Sequence, residues 1–166
     1  MRFDEALNFS LEELYQKTVP HPRISFLCSS YTPLITKERA YIDQSNVKEM
    51  THTLFDPVNQ LASIDSRQSK LIASSIYFRG ENIVNADASQ ACRDLKGTID
   101  FVDWNPGAFK AGINRHRPIS SSVLKFPPLT KDILAIINTP VISDLFARNL
   151  YNFDMLFSKR SFWHWY

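Results

Sequence analysis

The sequence predicts an α/β domain of the α+β-like kind: two layers, a mixed β-sheet flanked by helices, and a long helix at the end. Three observations predict it. Strand-like and helix-like segments alternate irregularly, which argues for a mixed sheet rather than strictly repeated βαβ units. Residues 70–78 are apolar on both parities, through Leu71, Ile72, Ile76, Tyr77 and Phe78, as suits a central strand covered on two faces. Near the end, Leu145, Phe146, Leu150, Phe153, Leu156 and Phe157 recur at helical spacing and give one broad apolar face.

The elements follow in order. Ser10-Leu11-Glu12-Glu13 has the form of a capping box, a hydroxyl at the N-cap and a carboxylate three residues on. The helix it opens runs to about Thr18, because Pro20 and Pro22 cannot continue the hydrogen-bond ladder. Arg23 to Cys28 reads as a short strand, and Tyr31 to Asp43 as a polar loop. Ser45 is placed to cap a second helix, with Val47, Met50, Leu54 and Phe55 on one side and Pro57 as its stop. After the central strand and Gly80, a third helix over residues 85–95 puts Ala88, Ala91, Cys92 and Leu95 on one stripe, with Gly97 as terminator. Ile99–Trp104 and Phe109–Ile113 read as strands joined through Asn105-Pro106-Gly107. The long segment from Arg115 to Lys131 is a loop, Ile133–Ile137 a strand, and Ser143 the cap of the last helix.

Bulk properties narrow the function. A chain of 166 residues suits one domain, and 44% hydrophobic with 22% charged residues is the balance of a packed globular chain rather than a disordered one. A net charge of +2 does not point to nucleic acid or an anionic membrane, and Arg115-His116-Arg117 is too short to track a phosphate backbone. Two cysteines are too few for a disulfide-stapled secreted domain. No apolar run of about 18 residues predicts a membrane span, and Met1 to Glu5 lacks a signal-peptide core, so a reducing, cytoplasmic setting is expected. The four glycines, at positions 80, 97, 107 and 112, make no phosphate-cradling cluster. The histidines and cysteines are dispersed, with no spaced metal set and no nucleophile elbow. Cys28, in an apolar strand, reads as a buried structural thiol rather than half of a catalytic dyad. On pattern alone the chain is a binding or structural domain.

A resemblance sharpens this. Val19-Pro20-His21-Pro22-Arg23-Ile24, Phe55-Asp56-Pro57-Val58-Asn59-Gln60 and Tyr77-Phe78-Arg79-Gly80 are similar to successive motifs of α-type tubulins. Two longer stretches are more specific: Phe101-Val102-Asp103-Trp104-Asn105-Pro106-Gly107-Ala108-Phe109-Lys110-Ala111-Gly112-Ile113-Asn114, and Phe153-Asp154-Met155-Leu156-Phe157-Ser158-Lys159-Arg160 with His164-Trp165-Tyr166. The resemblance covers essentially the whole chain in order, with about one residue missing near Leu95. It implies an intermediate domain over residues 1–142 and the start of a C-terminal helical region over 143–166, without the N-terminal GTPase half or the final acidic tail.

What the resemblance implies for function is a structural role in the microtubule cytoskeleton, in the cytoplasm. The partners would be β-tubulin or other tubulin-like subunits, with tubulin-folding chaperones plausible, and neither nucleic acid nor membrane. GTP and Mg belong to the family but would be held by the absent domain or a neighbouring subunit, with no cofactor on this chain alone. Glu13 matches the family carboxylate presented to a neighbouring subunit's GTP, where a carboxylate orients or deprotonates attacking water. Arg2 and Asn8 fall in the loop that reaches that nucleotide, and Lys110 matches a lysine near the same longitudinal face and is expected to pair with Glu13. The other readings are plain: Glu13 as half of a capping box, Asn8 as a turn residue, Lys110 as a solvated strand-end cation.

Departures bear on these roles. The loop carries Glu5 where the family has Gly, Ser10 where it has Asp, and Ile42 where its lateral loop has His; Ile119 to Phe126 lacks the family's Gly-Gly. An added anion at position 5 would repel phosphate. Enzymatic activity is therefore left open. Two alternatives stand beside the structural role, a degenerate tubulin-derived fragment and a trans-acting activator of β-tubulin GTP hydrolysis. Without docking partners, Phe162, Trp163 and Trp165 are expected either at the surface or under the last helix.

Overall fold

The computed structural model describes residues 11–36, 38–39, 46–105, 109–118 and 129–165. Its helices are α1 (Leu11–Thr18), α2 (Val47–Thr53), α3 (Asn85–Thr98) and α4 (Ile142–Ser158), and its strands are β1 (Cys28–Thr32), β2 (Ala73–Gly80), β3 (Phe109–Asn114) and β4 (Lys131–Asn138). The strands make one sheet in the order β1-β4-β2-β3. β4 runs antiparallel to β1 and β2, and β3 runs parallel to β2, so the sheet is mixed as the irregular alternation predicts.

The two central strands explain the doubly apolar patterning. On one face Ile76 and Phe78 of β2 and Ile133, Ala135 and Ile137 of β4 meet Val47, Met50, Leu54 and Phe55 from α2 and its end. Ala88, Cys92 and Leu95 from α3 complete this core, with Phe109 and Ile113 of β3 packed at its border. Each fully buried aliphatic or aromatic side chain here contributes about 1.5–3 kcal/mol. On the opposite face α1 lies across β2 and β4, where Asn138 Nδ2 donates to the carbonyls of Thr18 (2.9 Å) and Ile24 (3.0 Å). Gly80 ends β2 with φ +156°, and a Cβ there would come within 2.8 Å of Lys131 Cβ and 2.9 Å of the Thr130 carbonyl oxygen. Only glycine lets the two central strands close at this end.

Several elements differ from the sequence reading, each for a local reason. The first strand is Cys28–Thr32 rather than Arg23–Cys28, because residues 28–32 are the ones that find register on β4 (Cys28 opposite Ile137, Thr32 opposite Ile133). Ile99–Trp104 is not a strand: a single parallel bridge joins Phe101 to Leu71, and Asp103 and Trp104 turn away. α3 runs through Gly97 to Thr98 and closes with the Ile99 amide on the Leu95 carbonyl (3.0 Å), so Gly97 is a helical residue, not a terminator. α4 starts at Ile142 after Val141, which places Ser143 inside the helix. The proposed caps Ser10 and Ser45 lie outside the described residues.

Only the first turns of α4 are seated. Val141 joins Cys28 and Ile64 in a small second cluster with Ala62, Ile142 and Leu145. Phe146 meets the Phe26 ring at 4.9 Å, and Arg148 Nη2 donates to the Ser63 carbonyl at 2.7 Å. Beyond that point Leu150, Tyr151, Phe153, Met155, Leu156 and Phe157 are all exposed. After the helix, Arg160 (φ 52°) and Phe162 (φ 60°) adopt left-handed backbone, which folds Trp163 back onto Phe157 at 5.2 Å. Phe162, Trp163 and Trp165 remain 65%, 49% and 78% exposed, which decides between the two expectations for them: they are surface, not core.

Candidate functional site

Glu13 stands in the first turn of α1 beside Glu12, where a carboxylate is favoured by the unpaired amides of the helix start. The helix is short, and its last turn is sealed by Thr18 Oγ1 donating to the Leu14 carbonyl (2.6 Å). Leu14 and Thr18 point into the sheet and are buried. Glu13 is half-buried, and its Oε1 accepts from Lys17 Nζ one helical turn on. The carboxylate therefore answers two demands at once, the helix end and a cation of its own helix.

The sheet face beneath α1 is polar where the opposite face is apolar. β2 presents Ser75, Tyr77 and Arg79; the register sets Lys110, Gly112 and Asn114 of β3 beside them and Ile136, Leu134 and Asp132 of β4 on the other side. Burial pushes the Tyr77 phenol up, a hydrogen bond with Ser75 opposes that, and the Glu13 charge adds to the rise. Glu13 thus acts on the centre of this face. Lys110, opposite Ser75 and exposed, lies on the same face one strand out. The structure brings these two candidates to one side of the sheet, and the cation bonded to Glu13 is Lys17. Arg2 and Asn8 lie outside the described residues, as do Glu5, Ser10 and Ile42.

A second set of polar residues on this face escaped the sequence reading. Asp132 is 3% exposed and accepts from Tyr31 Oη (3.0 Å) and from Arg79 Nε (2.9 Å) and Nη2. A carboxylate taken out of water needs such donors, because losing its hydration unpaired is costly. The Asp132 carboxylate in turn raises the Arg79 guanidinium further above its usual range. Burial first and Asp132 second push the Tyr31 phenol well above its ordinary value. Arg79 was visible only as part of a motif, and nothing local marks Asp132, whose partners come from β1 and β2. The trio fastens three strands together at one end of the sheet.

The described glycines do not make a nucleotide cradle on this chain. Gly80 closes onto β4, Gly97 sits within α3 and Gly112 within β3, all in regular structure rather than in a loop that could wrap phosphate. Among the described residues no three His, Cys, Asp or Glu side chains are grouped to hold a metal ion, and no helix is long and apolar enough to cross a membrane. Both cysteines are buried. Cys28 packs among apolar side chains and burial pushes its thiol up, which suits the structural role expected of it.

Comparison with known proteins adds a family. The pattern of the Tubulin C-terminal domain matches residues 22–151. Over its whole length the chain is 38% identical to the tubulin alpha-2B and alpha-1B chains of Physarum polycephalum, and 37% identical to the tubulin alpha chain of Trypanosoma cruzi. It spans 37% of the length of each of these relatives.

Proposed function

This chain belongs to the tubulin family, and from that premise we propose that it is an α-tubulin-like structural component of the microtubule cytoskeleton, acting in the cytoplasm. It contributes a longitudinal interface, and the face that carries Glu13 and Lys110 is the surface presented to a neighbouring β-tubulin-like subunit. Tubulin-folding chaperones would handle the same chain. The nucleotide belongs to the neighbour, and this chain's share is a carboxylate, Glu13, turned towards it.

One observation carries the reading. Glu13 on α1 and Lys110 on β3 are far apart in sequence, yet the fold sets both on the same polar side of the sheet. A face with charges of both signs is suited to recognising a charged partner surface and to fixing its register. The opposite face has no such role to offer, since α2 and α3 cover it.

The test is co-sedimentation with assembled microtubules. Wild-type chain is expected in the pellet at saturable stoichiometry. Glu13→Arg and Lys110→Glu are each expected to weaken binding about tenfold, the size of a lost charge contact at a partly desolvated interface. Binding that ignores both reversals would remove this face from the proposal.

A further inference from the structure

Two apolar features stand outside the proposed microtubule contact. One is a stripe along α4. Phe146, Leu150, Phe153 and Phe157 follow one another at four, three and four residues, which keeps them on one side of the helix. All four are 45% exposed or more. Trp163 stacks on Phe157 and carries the stripe past the helix end. The other feature is a groove of about 560 Å³ beside α1, lined by Leu14, Tyr15 and Leu27, with Glu12 and Gln16 as its polar members. The groove reaches Leu27, and the adjacent Phe26 is the residue on which Phe146 rests. The stripe therefore begins beside the groove and its aromatic end lies far from it.

The spacing of the stripe reads the same in both directions. Turned end for end against a second copy, Leu150 falls opposite Phe153, and Phe146 opposite Phe157. Each large apolar side chain then meets another, as the self-complementary contact across a two-fold axis requires. The same alignment carries Phe157 and Trp163 of each copy towards the groove of the other. Charge selects this direction. Glu12 at the groove and Asp144 in the first turn of α4 are acidic, while Lys159 and Arg160 at the far end of α4 are basic. Antiparallel helices bring opposite charges together and oppose their dipoles, whereas parallel helices stack like charges.

The area is sufficient. Half-exposed side chains of this size offer roughly 100 Å² each. The stripe, Trp163 and Trp165, with Tyr15 and Phe26 at the groove, thus supply on the order of 800 Å² per copy, the share of each partner in a standard stable interface.

We propose that the chain forms a two-fold dimer in which the two α4 helices pair antiparallel and the aromatic end of each seats in the groove beside α1 of the other copy. The occupant of the exposed α4 face is a second copy of this chain. The inference does not depend on the contact assigned to Glu13 and Lys110.

The experiment is sedimentation equilibrium of the purified full chain over a wide range of concentration. A monomer–dimer equilibrium with no larger species is expected. Leu150→Glu sets two carboxylates close together in the pair and should raise the dissociation constant at least a hundredfold, while an unchanged melting temperature shows that the fold is intact. Lys159→Glu should weaken the dimer about tenfold, and Glu12→Lys added to it should restore most of that loss, because the pair of charges is then reversed across the contact. A dimer that Leu150→Glu leaves intact overturns the proposal, and so does open-ended growth beyond two copies. Failure of Glu12→Lys to rescue Lys159→Glu removes the groove as the seat of the aromatic end. A chain that stays monomeric throughout overturns the dimer and leaves the α4 face to another protein.

Discussion

Two apolar surfaces of this chain are built from the same kinds of residue and have opposite fates. The sheet face beneath α2 and α3 buries Ile76, Phe78, Ile133, Leu54, Phe55 and Leu95 to 1% exposure or less. The second half of α4 carries residues just as apolar, and every one from Leu150 onward is exposed. The difference lies in what covers them. The apolar residues of α2 and α3 recur at helical spacing and meet the sheet. On α4, Leu150, Phe153, Leu156 and Phe157 recur at helical spacing too, on one broad face, and the described residues leave them uncovered. Patterning therefore records which face an element offers, and burial records whether something lies against it.

Mutations can break or sharpen that contrast. The largest effect is expected in the covered face. Phe78→Ala should cost about 3–5 kcal/mol in denaturant unfolding, as a large ring leaves a cavity between β2 and the helices. Asp132→Ala comes next, at about 3 kcal/mol, because it strands the Arg79 guanidinium and the Tyr31 hydroxyl among buried groups. Part of the Arg79 side chain reaches solvent, which keeps the cost at the low end for a broken buried pair.

A pH effect on the same side is slightly smaller. Burial pushes the Cys92 thiol up from 9.0 to about 11, with the Lys96 charge pulling it partly back. The folded chain therefore keeps its proton where the unfolded chain loses it. This contribution is full below pH 9 and is lost as pH rises towards 11, by about 2–3 kcal/mol in all. Thermal melts between pH 8 and 11 should show the decline, and Cys92→Ala should shallow it. The smallest effect is expected on α4. Phe157→Ser should change unfolding by no more than about 0.5 kcal/mol, as for other exposed sites. The same change should reduce self-association in sedimentation, since large apolar patches promote it. A loss in stability as large as that of Phe78→Ala would mean that α4 is packed after all.

Much of this fold could be read in advance because it rests on local signals. The two prolines that stop α1, the doubly apolar β2 and the stripe of α3 each report their own structure. What failed depended on distant partners. β1 sits where β4 gives it register, more than a hundred residues away in sequence, and not where its own apolar run is densest. Phe101 meets Leu71 for one residue only, a limit invisible from the residues 99–104 themselves. Asp132 is an acid in an apolar strand whose meaning arrives with Tyr31 and Arg79. Of the candidate site, Glu13 was legible through its helix position and Lys110 through resemblance alone. The bond from Lys17 to Glu13 follows ordinary i,i+4 spacing and was open to reading.

The strand order has a consequence for how the molecule comes into being. β4 lies between β1 and β2, yet it is the last of the described strands in the order of synthesis. Until residue 138 has emerged, β1 has only its bridge to Gln60, β2 has only β3, and both leave backbone edges unpaired. Closing the sheet late and over long sequence separations makes for slow assembly and high contact order. A nascent chain of this topology waits, sticky and half-zipped, for its keystone.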